Sequence, residues 1–280
     1  MRIRPVVTAL AVSAVAAASA LAVSASGAGT ALPTLTIALN GTKGITVSGS
    51  MVSGAVSVVS TFTGKAPSGP TSNGPEFALA RLNPGATLQQ AAGAVQSHHG
   101  DINALTPYGS FLVDASAPGT VQTVLTPGTW VALNLTGNGR PGSAPFTVTQ
   151  SSSPAALPHA QSIQTAVEFG FRGPSVLRNG TIVRAQNEGW LVHMVTLNGV
   201  RSKAAGIKLM ALLHKKTTFK ETRPYITGVF VPLLGPASTG AMQQMVLNTK
   251  PGYYVEACFM DTQDGREHVQ LGMERLVRVV

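Results

Sequence analysis

Short apolar segments recur along most of this chain, and they either alternate with polar residues or are rich in β-branched side chains. A period of two is typical of strands that bury one face. The pairs Asn40-Gly41 and Asn179-Gly180 mark tight turns between such segments. The pattern predicts strands over Thr34 to Ala38, Ile45 to Ser48, Ala55 to Phe62, Thr165 to Phe171 and Gly180 to Ala185.

Two longer stretches break this alternation. Residues 87 to 104 and residues 203 to 216 are rich in Ala, Leu, Gln and Lys and show no strict period of two. Because these residue types favour helices, each stretch is predicted to be a helix inserted between strands.

The two halves of the chain follow the same order of segments. In each half an apolar strand leads into one of the helical stretches, then into further strands, and then through a Pro-Gly turn into another strand. These turns are Pro127-Gly128 and Pro251-Gly252. An internal repeat of this kind indicates two copies of one structural unit. We therefore predict an all-β protein of two tandem antiparallel Greek-key β-sandwiches, each with a helical insertion.

Residues 150–164 separate the two copies. They begin with the polar sequence Gln150-Ser-Ser-Ser-Pro154, which is typical of a linker. The predicted domains are therefore residues 29–149 and residues 165–280.

The chain begins with a basic, then apolar, then small-residue sequence. Arg2 and Arg4 precede an uncharged run from Val6 to Val23, and small residues follow. This order predicts a secretory signal peptide over residues 1–28, with the mature protein beginning between Ser26 and Leu32. An uncleaved membrane anchor is the alternative, because the run is just long enough to span a bilayer. With cleavage, the protein is expected to be secreted to the exterior of a bacterial cell and to keep no membrane span.

The composition favours a folded β protein and limits its covalent chemistry. Hydrophobic residues make up 44% of the 280 residues and charged residues only 11%, which excludes a disordered charged polymer. Gly and Pro, 30 and 18 residues, suit many short strands joined by tight turns. Cys258 is the single cysteine, so neither a disulfide framework within the chain nor a zinc site built from several thiolates can form.

Positive charge is concentrated in one segment of the second half. Between residues 201 and 223, Glu221 is the only acidic residue among the basic ones. Such a field speeds encounter with anionic partners, so the segment is a candidate surface for a redox partner protein or an anionic envelope polymer; no nucleic-acid partner is expected. The alternative is a solvated helix face above an apolar side at Ile207 and Met210. The candidate surface comprises Arg201, Lys203, Lys208, Lys215, Lys216 and Lys220.

One group of residues suggests metal chemistry. Cys258 ends a predicted strand, His268 follows a polar turn, and Met273 comes shortly after it. Upstream, His193 lies on another apolar strand. A thiolate and two imidazoles with a weak axial thioether form the ligand set that suits copper in an electron-transfer site. The sequence therefore indicates a candidate copper site.

In type and order these four residues resemble the ligands of the cupredoxins, the blue-copper family. The resemblance implies a β-sandwich in which one histidine comes from an early strand, while Cys, His and Met come from the last strand-loop-strand. It covers residues 165–280 directly and the first half only through the repeat, where Ala78 and Asn134 stand in place of His193 and Cys258. The nine residues between Cys258 and His268 make a longer loop than in plastocyanin-like proteins, nearer to that of copper nitrite reductases. There is also a looser similarity to uncharacterised secreted bacterial cupredoxin-like proteins.

Each ligand also has a purely structural interpretation. A histidine on a strand is commonly a core residue, and a single buried cysteine behaves as a small hydrophobe. The combination of a Cys, a His and a Met in family order with the strand-borne His193 is what favours copper.

Catalysis is not predicted. In multicopper oxidases and nitrite reductases a histidine adjoins the type 1 cysteine, whereas the neighbours of Cys258 are Ala257 and Phe259. The sequence also has no His-x-His pair, no nucleophile elbow and no Gly-rich phosphate loop. The leading hypothesis is therefore an exported cupredoxin-like protein that binds copper for electron transfer or copper handling. The alternative is a metal-free extracellular binding or scaffold protein on a degenerate cupredoxin fold.

Overall fold

The structure is a computed structural model that describes residues 31–66, 74–98, 100–137, 140–215 and 217–280. Strands dominate it, which confirms the all-β prediction. The predicted signal peptide at 1–28 and Lys216 lie outside the described residues. Among the residues that are described, no helix combines the length and apolar character that crossing a membrane requires.

The strands and helices follow one another in this order: β1 Thr34–Asn40, β2 Gly44–Gly49, β3 Gly54–Thr63, β4 Glu76–Leu82, α1 Leu88–Ser97, a 3-10 turn Ile102–Leu105, β5 Gly109–Ser116, β6 Gly119–Leu125, β7 Gly128–Asn134, β8 Gly142–Val148, β9 Ser162–Val167, β10 Gly170–Arg172, β11 Val176–Leu177, β12 Ile182–Asn187, β13 His193–Val200, α2 Lys203–Leu213, α3 Phe219–Thr222, β14 Ile226–Ala237, β15 Met242–Val246, β16 Gly252–Ala257, a 3-10 turn His268–Leu271 and β17 Glu274–Val279.

The strands form three sheets, and one of them runs through both halves of the chain. Its eight strands lie in the order β10-β9-β12-β15-β6-β3-β1-β2. The halves meet where Gln244 of β15 pairs with Gln122 of β6, and the two side-chain amides hydrogen-bond at 2.9 Å. The prediction of two tandem sandwiches did not anticipate this shared sheet, because a single pairing between distant glutamines leaves no local pattern in the sequence.

The remaining two sheets repeat one strand order. The first half has β5-β4-β7-β8, and the second half has β14-β13-β16-β17 with the short β11 added at its edge. Helix α1 lies between β4 and β5, and α2 lies between β13 and β14. Both helices fall inside the stretches that lacked alternation. Each begins at a side-chain cap, where Thr87 accepts from the backbone N–H of Gln90 and Ser202 from that of Ala205.

Two large hydrophobic cores lie between the shared sheet and the other two. The core of the first half contains Trp130 and Phe77. That of the second half contains Cys258 and Met273, and the partly buried Ile102 and Leu112 of the first half pack against it. The candidate copper ligands therefore lie in a buried interior to which both halves contribute.

Residues 165 to 171 do not form the single predicted strand. They form a hairpin in which β9 ends at Val167 and β10 begins at Gly170. The chain reverses because Phe169 takes the left-handed backbone conformation, with φ of 51°. In addition, β9 begins at Ser162, which is inside the stretch predicted as a linker.

The basic segment also differs in one detail from its alternative interpretation. Helix α2 buries Gly206, Leu209 and Leu213, whereas Ile207 is exposed. The apolar side of this helix therefore consists of Leu209, Leu213 and the partly buried Met210, and it does not include Ile207. The basic side chains of the candidate surface that are described are all exposed, namely Arg201, Lys203, Lys208, Lys215 and Lys220.

Candidate metal centre

His193 is the first residue of β13, a strand that is buried along its whole length. That strand pairs with β14 on one side and with β16 on the other, which fixes the backbone at the histidine. The first half helps to hold this position, because the backbone N–H of Val192 donates to Oδ1 of Asn103 at 2.7 Å. Asp101 in turn orients Asn103 by accepting its side-chain N–H at 2.9 Å.

Cys258 and His268 flank the long loop that follows β16. The loop is tied at its base, because the backbone N–H of His268 donates to the carbonyl of Met260 at 2.8 Å and that of Val269 to the carbonyl of Cys258 at 3.1 Å. An isolated antiparallel β-bridge between the backbones of Asp261 and Glu267 also ties the loop. The extra length of the loop therefore does not carry His268 away from the thiol.

Three donor atoms meet in the interior. Nδ1 of His193 lies 3.1 Å from Nδ1 of His268. Sγ of Cys258 lies 3.3 Å from Nδ1 of His268 and 3.9 Å from Nδ1 of His193. One ion with metal-ligand bonds of about 2.0–2.3 Å can contact all three atoms, since those bond lengths are usual for nitrogen and sulfur. All three side chains are fully buried.

Backbone hydrogen bonds also join Met273 to Cys258 and His268. Its N–H donates to the carbonyl of His268 at 3.0 Å, and its own carbonyl accepts from the N–H of Cys258 at 3.2 Å. The side chain is fully buried and lies in the same core cluster as Cys258. All four predicted ligands thus come from one buried region.

The surroundings of the sulfur can support a thiolate, yet they favour a thiol when no metal is bound. The backbone N–H of Met194 donates to Sγ of Cys258 at 3.3 Å, and that of Met260 also donates to it. Burial nevertheless raises the pKa of Cys258 to about 12. A metal that takes the sulfur as a thiolate must therefore displace a proton.

Both imidazoles are neutral at ordinary pH. Burial lowers the pKa of His193 to about 4 and that of His268 also to about 4. Neutral imidazole is the form that binds metals. Each ring directs Nδ1 to the centre, and the Nε2 atoms of both rings are buried without a hydrogen-bond partner among the described residues.

The metal-free protein is expected to lose stability as the pH falls from about 6.5 to about 4. In that window the unfolded chain protonates both histidines while the folded protein does not, because folding lowers both pKa values from 6.5 to about 4. Thermal melting across this range, in the presence of a chelator, measures the effect. The double variant His193→Gln/His268→Gln should have a flatter profile than the wild type, and the exposed control His159→Gln should not. An unchanged profile in the double variant would contradict the assignment of neutral buried histidines.

The corresponding positions of the first half carry no metal ligand. Ala78 is a buried core residue. Asn134 is buried and uses its side-chain N–H groups to hold the carbonyls of Gly41 at 3.1 Å and Gly44 at 2.8 Å. Asn134 therefore fixes the β1–β2 turn.

Two residues that contact the centre, Glu168 and Phe169, were not predicted. Oε1 of Glu168 lies 3.8 Å from Nε2 of His193, and the ring of Phe169 meets that of His268 edge to face at 5.3 Å. Burial raises the pKa of Glu168, but hydrogen bonds from backbone N–H groups, chiefly that of Trp190, outweigh it and lower the pKa overall. The sequence signals for this turn were weak: one acidic residue inside an apolar run and a glycine directly after Phe169.

Among the described residues, His193, Cys258 and His268 are the one group of three or more His, Cys, Asp or Glu residues placed to share a metal ion. No protein-family model matches the chain, and no curated protein matches it. Solved structures do match. Dithionite-reduced auracyanin from Roseiflexus castenholzii is 15% identical with a TM-score of 0.26, and the match covers 42% of this chain and 94% of that one. Auracyanin B is 18% identical with a TM-score of 0.24, and the match covers 45% of this chain and 93% of that one. A copper-containing nitrite reductase from Thermus scotoductus is 10% identical with a TM-score of 0.23, and the match covers 88% of this chain and 67% of that one.

Those scores are low, so the site is assigned from the chain's own residues. The chain resembles the cupredoxins in the identity, order and convergence of its ligands, and the donor set fits a type 1 copper site.

Proposed function

We propose that this chain is an exported, cupredoxin-like electron-transfer protein with a type 1 copper site. His193, Cys258 and His268 would hold the copper, and Met273 would be a fourth, weaker ligand. The observation that carries the proposal is the meeting of one thiol sulfur and two imidazole nitrogens in a fully buried space. Copper bound there supplies a one-electron couple between Cu(I) and Cu(II).

The chain's own residues perform three tasks in this proposal. Cys258 loses its proton to a base in solution and is held as a thiolate by the backbone N–H of Met194. His193 and His268 share a hydrogen bond between their Nδ1 atoms in the metal-free protein, so one Nδ1 carries a proton there; that proton would move to Nε2 of its ring when both Nδ1 atoms bind the metal. The three buried side chains keep water away, which limits rearrangement between the two oxidation states.

We also propose that the chain consists of two domains with the same fold. Residues 29–149 and 165–280 are two cupredoxin-like Greek-key sandwiches, and the repeated strand order supports this interpretation. The first domain has Ala78 and Asn134 at the positions of His193 and Cys258, and we assign it a structural role. The contact from Asn103 to Val192 supports that role because it lies next to His193.

Electron transfer is favoured over catalysis and over copper handling. A catalytic copper needs a position open to substrate, and a copper carrier must pass its ion to an acceptor. The ligand side chains His193, Cys258 and His268 have no exposed surface, which suits neither task. Electrons, in contrast, can reach an enclosed centre through a thin protein layer.

Voltammetry of the copper-loaded protein tests this function. We expect one reversible one-electron wave that is absent from the Cys258→Ser variant, and Cu(I) that is retained when a chelator is added. Rapid and complete loss of Cu(I) to the chelator would favour copper handling instead. Absence of both copper and the wave would favour the metal-free scaffold.

The basic segment is proposed as the surface that meets an anionic partner protein or envelope polymer outside the cell. The double reversal Lys208→Glu/Lys215→Glu should weaken retention on an anionic matrix several-fold at low salt, and the difference should vanish at high salt because the charges are exposed. The matched control Lys65→Glu/Lys250→Glu makes the same change in charge at exposed sites outside the segment. Equal losses in the two variants would indicate that only net charge matters.

A further inference from the structure

The hairpin turn between β9 and β10 reaches both imidazoles of the proposed copper site. Glu168 faces His193, with Oε1 3.8 Å from Nε2. Phe169, the next residue, packs its ring against that of His268 at an interplanar angle of 86°. One two-residue turn therefore places a residue against each of the two imidazoles.

This turn has a strained backbone at Phe169, and backbone hydrogen bonds fix the side chain of Glu168. Phe169 takes a left-handed backbone conformation that residues other than glycine seldom adopt, and such strain is common at functional sites. The carboxylate of Glu168 accepts hydrogen bonds from the backbone N–H groups of Trp190 and, at 3.4 Å, Leu191. The segment that leads into β13 therefore sets the direction of the Glu168 side chain.

Gly189 provides the space in which this carboxylate approaches the ring. A Cβ atom at that position would lie 2.6 Å from Oε1 of Glu168 and 2.8 Å from Nε2 of His193. Both distances are too short for any side chain, so the close approach of the carboxylate and imidazole requires glycine there.

The protonation of His193 makes this approach chemically significant. A neutral imidazole carries one N–H, and binding a metal through Nδ1 places that proton on Nε2. Nε2 of His193 is buried and has no hydrogen-bond partner among the described residues. A buried N–H without an acceptor is costly, and the carboxylate of Glu168 stands just beyond hydrogen-bonding distance.

We propose that Glu168 is a positioning residue of the copper centre, which accepts the Nε2–H of His193 and so fixes the tautomer whose Nδ1 is free to bind the metal. This inference rests on the proposed copper function. Histidines that bind metals usually donate their second N–H to an oxygen acceptor, and loss of that acceptor typically costs about 10–100-fold in metal affinity. A carboxylate acceptor also makes the imidazole a stronger donor, which favours Cu(II) over Cu(I).

The test compares Cu(II) affinity, reduction potential and imidazole protonation in matched variants. Glu168→Ala should weaken Cu(II) binding by about 10–100-fold in competition with a chelator. Glu168→Gln keeps an oxygen acceptor without the charge, so it should bind more tightly than Glu168→Ala while its reduction potential rises above that of the wild type. In NMR spectra of the Cu(I)-loaded wild type, the Nε2–H of His193 should be visible and protected, and in Glu168→Ala it should exchange rapidly. The control Glu188→Gln removes a nearby exposed carboxylate and should change none of these values.

The outcomes separate this inference from the function on which it rests. A wild-type protein that binds no copper overturns the proposed function and the role of Glu168 with it. A wild-type protein that binds copper, with Glu168→Ala and Glu168→Gln both matching Glu188→Gln in affinity, potential and proton exchange, overturns only the role of Glu168. Equal melting temperatures of the metal-free variants show that folding is intact when these values are compared.

Discussion

The Cys258→Ser variant is expected to lose entirely the strong visible absorption that copper gives in the wild-type protein. That band requires charge transfer from a thiolate sulfur to Cu(II), and Cys258 is the only thiol in the chain. A serine hydroxyl is a harder ligand with a far higher pKa, so it cannot replace the sulfur. The two histidines remain, and the variant should still bind Cu(II) weakly as a pale complex. Visible spectra of the two proteins at equal copper loading measure the effect.

Met273→Leu is the matched variant for this comparison. The substitution conserves volume in a fully buried position, and swaps of this kind usually cost less than about 1.5 kcal/mol. Because a thioether is a weak ligand for Cu(II), the band should persist and the reduction potential should move. A strong band that survives in Cys258→Ser, or disappears in Met273→Leu, would contradict the assigned ligand roles.

Replacing Arg275 with methionine should destabilise the metal-free protein by about 3–5 kcal/mol, the range for breaking a buried ion pair. Nε of Arg275 donates to Oε2 of Glu256, a side chain with no exposed surface. Its other N–H groups hold the carbonyl of Gly173 at 2.8 Å and the side chain of Gln164. Burial raises the pKa of Glu256 to about 7, although Arg275 acts to lower it. Urea unfolding of the wild type and the variant near pH 8 measures the cost.

Two further variants isolate the ion pair. Arg278→Met removes an exposed arginine from the same strand and should change stability by no more than about 0.5 kcal/mol. The double variant Arg275→Met/Glu256→Met replaces the pair with apolar side chains and should recover most of the loss, because the buried charge is then absent. A loss that is as large in the double variant as in Arg275→Met would mean that packing, and not the unpaired carboxylate, explains the effect.

Local sequence patterns predicted those parts of the fold that depend on local chemistry. Alternating apolar residues predicted β1, β2, β3 and β12, and the lack of alternation predicted the stretches that contain α1 and α2. The four candidate ligands were also predicted from residue type and order, because the last strand and its loop bring Cys258, His268 and Met273 together within a short piece of chain.

Features that depend on distant residues were not predictable in this way. The pairing of Gln122 with Gln244 joins the two halves through ordinary polar residues. Asn103 holds Val192 across 89 positions of sequence, and nothing in its immediate neighbours indicates the contact.

The β9–β10 turn was missed for a different reason. Thr165 to Phe171 has the composition of a strand, and its reversal depends on Phe169 taking a conformation that sequence rules assign to glycine or asparagine. The surrounding packing overrides that local preference. The residues that contact the imidazoles are therefore the ones that local patterns do not predict, as is expected where backbone strain occurs at a functional site.

Titration of the reduced protein with Cu(II), followed by visible absorption and thermal melting, tests the central claim most directly. If His193, Cys258 and His268 form the site, a strong band grows until one copper is bound per chain and the melting temperature rises with it. Free copper at 100 times its dissociation constant stabilises the folded state by about 2.7 kcal/mol, which corresponds to a rise of several degrees. A protein that develops no band and melts at the same temperature with and without copper would contradict the claim.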